Sequence, residues 1–298
     1  MKKSNEKGSN WKLTFSDAAY DTTQQEIGAK LVATIDDRGW PHMTLITNLR
    51  ACAPDKIVWG QFAEGRTKRL VTENPKQGYI WMPAEKPFVF VQAKADFEKW
   101  KTEGEELEYF NTTKFLRYNT YVSVWRAAMN DPVAISPVQP ISIGGIVSGI
   151  LRNLYLKLVV PRSKDPHDRR IPPRGEDLFN NSMIPKFICY IDPEDGYPVI
   201  IPVFSAWAPD STKIVFNFAQ FKHLLKKIPE NSIVAVLVIN LESVNHLVKG
   251  VYTTKSFGKM RTGVVDVKEV YNSMPPVAGP IYPEKFQRPK VTEFPESL

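Results

Sequence analysis

The sequence predicts a mainly β chain with peripheral helices (α+β), built from two copies of one fold in tandem. Short apolar, β-branched runs alternate with Asp-, Gly- and Pro-containing turns over most of its 298 residues. The run KLVATID at 30–36 returns as KFICYID at 186–192, and Arg38-Gly39-Trp40-Pro41 returns as Asp195-Gly196-Tyr197-Pro198. The period, from Gly39 to Gly196, is about 157 residues, which makes this a duplicated domain and not a solenoid.

Taken in order, residues 1–24 form a polar N-terminal arm. Trp11 and Phe15 give it contacts to the body, and Asp21 or Thr22 before Glu26 reads as a capped start of a short helix. The first copy spans 25–131. Its first strand is 29–35, the tight turn is Asp36-Asp37-Arg38-Gly39, and 41–48 is the returning strand. A strand at 57–62 leads to the basic loop Glu64-Gly65-Arg66-Thr67-Lys68-Arg69 and a short helix ending at Asn74-Pro75. Strands at 78–82 and 88–97 follow. Helical spacing over 103–117 has Glu105, Glu106 and Glu108 in its first turns, and 121–127 closes the copy.

Residues 132–182 form an apolar and basic connector. Pro132, Pro137 and Pro140 break regular structure; 141–160 is apolar but carries Gly144, Gly145, Gly149, Arg152 and Lys157. Those charges and glycines argue against a membrane-spanning helix, and a buried or interface helix is favoured over contact with a membrane surface. The second copy, 183–274, repeats the strands at 186–192, 199–204, 213–218, 232–240, 246–255 and 262–270, with a helix over 221–228. A Pro-rich tail without period, 275–298, follows.

Composition narrows the function. Two cysteines and four scattered histidines follow no metal-ligand spacing, so no metal site is expected. Few thiols and the absence of a secretory pattern at the start fit a cytoplasmic protein. The net charge of +7 is dispersed among acids, which argues against nucleic acid as partner. The remaining partners are a small-molecule substrate or an electron donor or acceptor, and a second copy in a homodimer. In the basic loop, Gly65 lets backbone approach a ligand while Arg66, Thr67 and Lys68 add two charges and a hydroxyl at a helix start. That set suits a phosphate.

The order of these motifs resembles the FMN-binding split-barrel, or pyridoxamine-phosphate-oxidase-like, family over about residues 25–130. Ala29, Val32-Ala33-Thr34, Asp36, Gly39 and Pro41-His42 match its opening strand and turn. Arg66-Thr67-Lys68 matches its basic loop, and Asn74-Pro75 the helix end. Lys68 and Leu70 stand about one residue out of step with the commoner form. The resemblance implies two tandem split β-barrels and FMN as cofactor, with Arg66, Thr67 and Lys68 at its phosphate. It places Thr44 and Thr47, then His42, along the ring and ribityl chain, with Gln61 and Trp59 as further candidates. Alternation puts His42 and Thr44 on one face and Thr47 on the other, so not all three face the ligand. The second copy has Gln220-Phe221-Lys222-His223 in place of the basic loop, which implies a lost phosphate site.

The expected function is an FMN-binding flavoprotein, an oxidoreductase passing hydride or electrons through the flavin. No triad, carboxylate pair or metal motif stands out, as flavin chemistry allows. The alternatives are a non-catalytic FMN-binding or electron-carrier protein, or a relative binding haem, with His223 or His246 as axial ligand, or a deazaflavin. Pyridoxamine phosphate oxidase itself is disfavoured, because residues 44–49 lack its Arg-x-x-Leu-Leu-Lys strand.

Overall fold

The computed structural model describes residues 11–61, 65–112, 123–163, 168–240, 244–272 and 279–282. Phe62 of the expected strand, Glu64 of the basic loop, Phe115 and Leu116 of the expected helix, Tyr121 and Val122 of the expected closing strand, and most of the tail lie outside these residues.

Helix α1 spans Asp17–Gln24. It begins upstream of Asp21 because Ser16 caps it, its hydroxyl accepting from the Ala19 N–H at 3.4 Å, and Asp17 sits in the first turn. Thr23 Oγ1 accepts from the Ala51 N–H at 3.1 Å, and Phe15 meets Trp81 edge-on at 5.7 Å. The arm is thereby fixed to the first barrel. Gly28–Ile35 (β1) and Pro41–Leu45 (β2) form the expected hairpin, with Gly39 at φ +76° in the turn. The returning strand stops at Leu45, short of residue 48. Residues 46–49 turn instead, the Leu49 N–H donating to the Ile46 carbonyl at 3.1 Å, and Arg50–Ala53 (β3) is an additional strand. Its sequence, Arg-Ala-Cys-Ala, carries no alternation by which to find it.

Next come Lys56–Gln61 (β4), Arg66–Glu73 (α2), Lys76–Pro83 (β5), Val89–Lys101 (β6), Glu105–Thr112 (α3), Arg126–Ile135 (β7) and Gln139–Pro140 (β8). The strand that joins β4 to β6 is therefore later than the 121–127 expected, and it runs past residue 131. Pro132 is tolerated there because the register shifts opposite it, between Lys94 and Ala95. Ile143–Val159 (α4) and Pro173–Asn180 (α5) lead to the second copy. This comprises Lys186–Ile191 (β9), Pro198–Pro202 (β10), Trp207–Asp210 (β11), Lys213–Asn217 (β12), Lys222–Leu225 (α6), Ile233–Ile239 (β13), Asn245–Phe257 (β14), Met260–Asn272 (β15) and Gly279–Tyr282 (β16). The helix expected over 221–228 shrinks to 4 residues, and β16 pairs with β15 within the stretch read as a periodless tail.

The first sheet runs β2-β1-β5-β6-β7-β4-β3 and the second β10-β9-β13-β14-β15-β12-β11. The two orders are the same permutation, eight strands apart, so the chain is two antiparallel split barrels in tandem. Gly196 repeats the conformation of Gly39, at φ +77°. Each barrel has its own core: Val32, Trp59, Tyr79 and Trp81 in the first, and Ile188, Tyr190, Phe216 and Val236 in the second.

A third apolar cluster joins them. Leu31, Ala33, Met43 and Ile80 of the first barrel meet Phe187, Cys189, Ile200 and Leu237 of the second. Strand β1 thus buries both faces, which is why it reads as an unbroken apolar run. Gly78 lies on this seam, where an added Cβ would stand 2.1 Å from the carbonyl oxygen of Pro198. Because that neighbour is backbone, Gly78→Ala is expected to cost about 1–3 kcal/mol or more in chemical denaturation. An unchanged midpoint would show that the barrels do not meet here. Among the described residues no helix is long and apolar enough to cross a membrane.

Candidate functional site

The docking of the barrels brings the β1–β2 turn of the first copy against β14 and β15 of the second. Asp36 sits at the centre. Its Oδ1 accepts from the Arg38 and Trp40 N–H groups at 3.0 Å each, and its Oδ2 from Lys249 Nζ at 2.8 Å and Arg38 Nη2 at 3.0 Å. Arg38 Nη2 also donates to Glu269 Oε2 at 2.9 Å. Asp36 and Lys249 side chains are fully buried. Burial opposes ionisation of Asp36, but Lys249, the Trp40 N–H and Arg38 outweigh it and hold its pKa at about 2. The second copy reciprocates: Lys94 of β6 donates to Asp192 Oδ2 and Asp195 Oδ2 at 2.7 Å each. The barrels therefore face each other across a pseudo-two-fold relation, as two subunits of a symmetric dimer would, and leave two related clefts.

In the first cleft, β2 lies against the start of α2. Thr44 Oγ1 is 2.7 Å from Thr67 Oγ1. Gly65, at the N-cap of α2, supplies no side-chain cap, and an added Cβ there would meet nothing within 4 Å. Arg66 Nη2 lies 3.2 Å from Asp37 Oδ1 and 3.6 Å from Asp36 Oδ2, while Lys68 is partly exposed on the same turn. The structure thus brings Thr44, Arg66, Thr67 and Lys68 together around a helix N-terminus.

The other candidates sit differently. His42 is buried and meets Tyr271 of β15 edge-on at 4.8 Å; its Nδ1 has no hydrogen-bond partner among the described residues. Burial, with Lys249 and Arg66 nearby, pushes its pKa well below the usual imidazole value, so it is neutral. Thr47 is in the 46–49 turn and not on the strand, because β2 ends at Leu45. Gln61, the last residue of β4, accepts from Arg126 Nε at 2.7 Å, and that guanidinium lies 4.0 Å over the Trp100 ring. Trp59 is in the first barrel's core. Among the histidines weighed for haem, His223 is exposed on α6, while His246 is buried in β14 with its pKa lowered by burial and by Arg174.

The second cleft is filled. Helix α4 lies over it, with Gly149 and Asn153 against the end of β12: Asn217 Nδ2 donates to the Gly149 carbonyl and to Asn153 Oδ1 at 2.9 Å each. Gln220, in the position of the basic loop, donates from Nε2 to the Ser142 carbonyl. Phe221, at φ +49°, turns its ring between the barrels and meets Phe90 edge-on at 5.1 Å. Only about 10 Å³ of space remains between Gly145, Gly149, Ser205 and Gln220.

Sequence reasoning missed Asp37, Lys249, Glu269 and Tyr271. In the sequence Asp37 reads only as a turn residue, and the other three come from the second copy. The turn motif shared by Asp36 and Asp192 was the one available signal. Among the described residues, two cavities lie away from this site. One, of about 410 Å³, is lined by Arg152, Lys222, Lys226, Tyr252, Lys259 and Arg261. The other, of about 620 Å³, is lined by Tyr20, Arg50, Cys52, Glu106 and Tyr109 among others. Among the described residues no group of histidine, cysteine and acidic side chains could hold a metal.

No family model matches the chain, and no curated protein matches it. Solved structures do resemble it. An FMN-binding protein from Syntrophomonas wolfei subsp. wolfei aligns at 15% identity over 42% of this chain and 86% of that one, with a TM-score of 0.35. HupZ of Group A Streptococcus aligns at 16% over 43% and 99%, with a TM-score of 0.34. A putative pyridoxamine 5'-phosphate oxidase from Lactobacillus delbrueckii aligns at 12% over 42% and 96%, with a TM-score of 0.33. Each spans about the length of one barrel. The tandem arrangement itself rests on the two strand orders given above.

Proposed function

We propose that the first barrel binds FMN, with the phosphate at the start of α2, and that the protein is an FMN-dependent oxidoreductase. The observation that carries this is the first turn of α2, which has no side-chain cap among the described residues and faces Thr44 at the seam between the barrels. Free backbone N–H groups at a helix N-terminus favour an anion. Arg66 and Lys68 would neutralise the phosphate, while the Thr44 and Thr67 hydroxyls orient it. The neutral, orphaned His42 Nδ1 marks polar capacity deeper in the same seam. Strands β14 and β15 of the second barrel wall the cleft, as a partner subunit would in a dimer. Bound flavin would supply the hydride or electron transfer, and the protein's part is to hold it and exclude water.

Asp37 competes for this place, since its carboxylate already lies beside Arg66. Its side chain is 62% exposed, so the pair is weak and displaceable. Asp37→Asn is expected to tighten FMN binding by roughly two- to fivefold in a fluorescence titration, the range of an exposed ion pair. Unchanged or weaker binding would place the phosphate elsewhere. Turnover distinguishes an oxidoreductase from a carrier. Flavin-loaded protein mixed anaerobically with NADH or NADPH is expected to lose its flavin absorbance and regain it when an acceptor is added. Failure of every donor to bleach the flavin would contradict an oxidoreductase that uses nicotinamides.

A further inference from the structure

Helix α4 is packed the wrong way round for a helix that only closes a cleft. It touches the second barrel through Gly149, Asn153 and Leu156, with Asn153 Nδ2 donating to the Ser205 carbonyl at 2.8 Å. Its opposite face carries Ile143, Val147, Leu151, Leu154 and Leu158. Every one of them is at least half exposed, and Leu158 is 85% exposed. The spacing i, i+4, i+8, i+11, i+15 puts the five on one stripe. A surface helix normally turns such a stripe inward; this one turns it to solvent.

The flank of the stripe is cationic. The Tyr155 hydroxyl packs against Gly258 at the tip of the β14–β15 hairpin, which brings Lys259 and Arg261 alongside α4. With Arg152, Lys222 and Lys226 they line the 410 Å³ cavity next to the helix. The acid in that lining, Glu230, stands 4.0 Å from Arg261. Arg152, Lys222, Lys226 and Lys259 have no ion-pair partner among the described residues.

We propose that α4 is a membrane-docking element: it lies flat on an anionic lipid surface, stripe in the acyl boundary and the flanking cations at the lipid phosphates. One occupant then accounts for both features. A free phosphorylated ligand in the cavity would leave the stripe bare. A second copy fits less well. A 17-residue helix is about 25 Å long and 10 Å wide, a footprint of roughly 250 Å² against the roughly 800 Å² per partner of a stable interface. A two-fold copy would also bring two unpaired cationic flanks together.

The test is sedimentation of the full chain with vesicles of phosphatidylcholine alone or with one-third phosphatidylglycerol, alongside light scattering for the oligomeric state. The wild type is expected to pellet with the anionic vesicles at least about tenfold more than with the neutral ones, and less at high salt. Leu151→Glu/Leu158→Glu, at exposed positions, is expected to keep the fold by circular dichroism and lose about tenfold or more of the binding. Lys222→Glu/Lys226→Glu should lose binding to the anionic vesicles. Pelleting indifferent to either double variant would overturn the proposal. So would a wild-type dimer that ignores vesicles and that Leu151→Glu/Leu158→Glu splits into monomers. The readout does not involve flavin, so it stands apart from the function proposed above.

Discussion

Asp36→Ala is expected to lower stability by about 3–5 kcal/mol, the cost of leaving a buried charge without its partner. Lys249 is fully buried and donates to Asp36 at 2.8 Å; its other acid, Glu269, is 3.9 Å away. The substitution also strips the Arg38 and Trp40 N–H groups of their acceptor. The pH dependence has a definite sign. The pKa of Asp36 falls from 3.8 to about 2 on folding, so its contribution is complete above pH 3.8 and is lost as pH falls through about 2. Denaturation midpoints of wild type and Asp36→Ala should therefore lie far apart at neutral pH and converge under acid. A constant gap across that window would contradict the ionised pair. An Asp36→Ala protein as stable as wild type would contradict the docking of the barrels.

Arg66→Ala/Lys68→Ala is expected to weaken FMN binding by roughly 100-fold or more, since each charge-assisted contact to a phosphate contributes about 1.5–3 kcal/mol. Both side chains are partly exposed and the acid nearest Arg66, Asp37, is at the surface, so the fold should be retained. Fluorescence titration of the double variant reads the loss, and an unchanged dissociation constant would remove the phosphate from α2. Between the single variants, Arg66→Ala is expected to lose more. Arg66 points back toward Asp36 at the seam, whereas Lys68 lies further along the turn.

The hairpin and the duplication were legible because their signals are local. Asp36 and Gly39 specify one turn by hydrogen bonding and backbone conformation, and the same chemistry recurs at Asp192 and Gly196. Strands β3 and β11 were not legible. Arg-Ala-Cys-Ala and Trp-Ala-Pro-Asp have neither alternation nor β-branched residues, and they form because β4 and β12 offer an edge. Pro132 hid the latter part of β7 in the same way. In the site, Thr44, Arg66, Thr67 and Lys68 were readable as a basic loop opposite a strand. Lys249 and Glu269 were not, since they stand more than 200 residues along the chain from Asp36 and Arg38 and reach them only when the two barrels dock. The closure of the second cleft was half readable: Gln220-Phe221 signals a lost loop, but the glycines that seat α4 over it speak only against a membrane-spanning helix and do not say what the helix covers.

A titration of the full chain with FMN, followed by flavin fluorescence and absorbance, tests the central claim most directly. A basic helix start in the first barrel, and a counterpart in the second that lacks the basic loop and is covered by α4, predict one flavin per chain. Binding of none, or of two with equal affinity, would contradict the assignment of the first barrel as the flavin-binding half and the second as its wall.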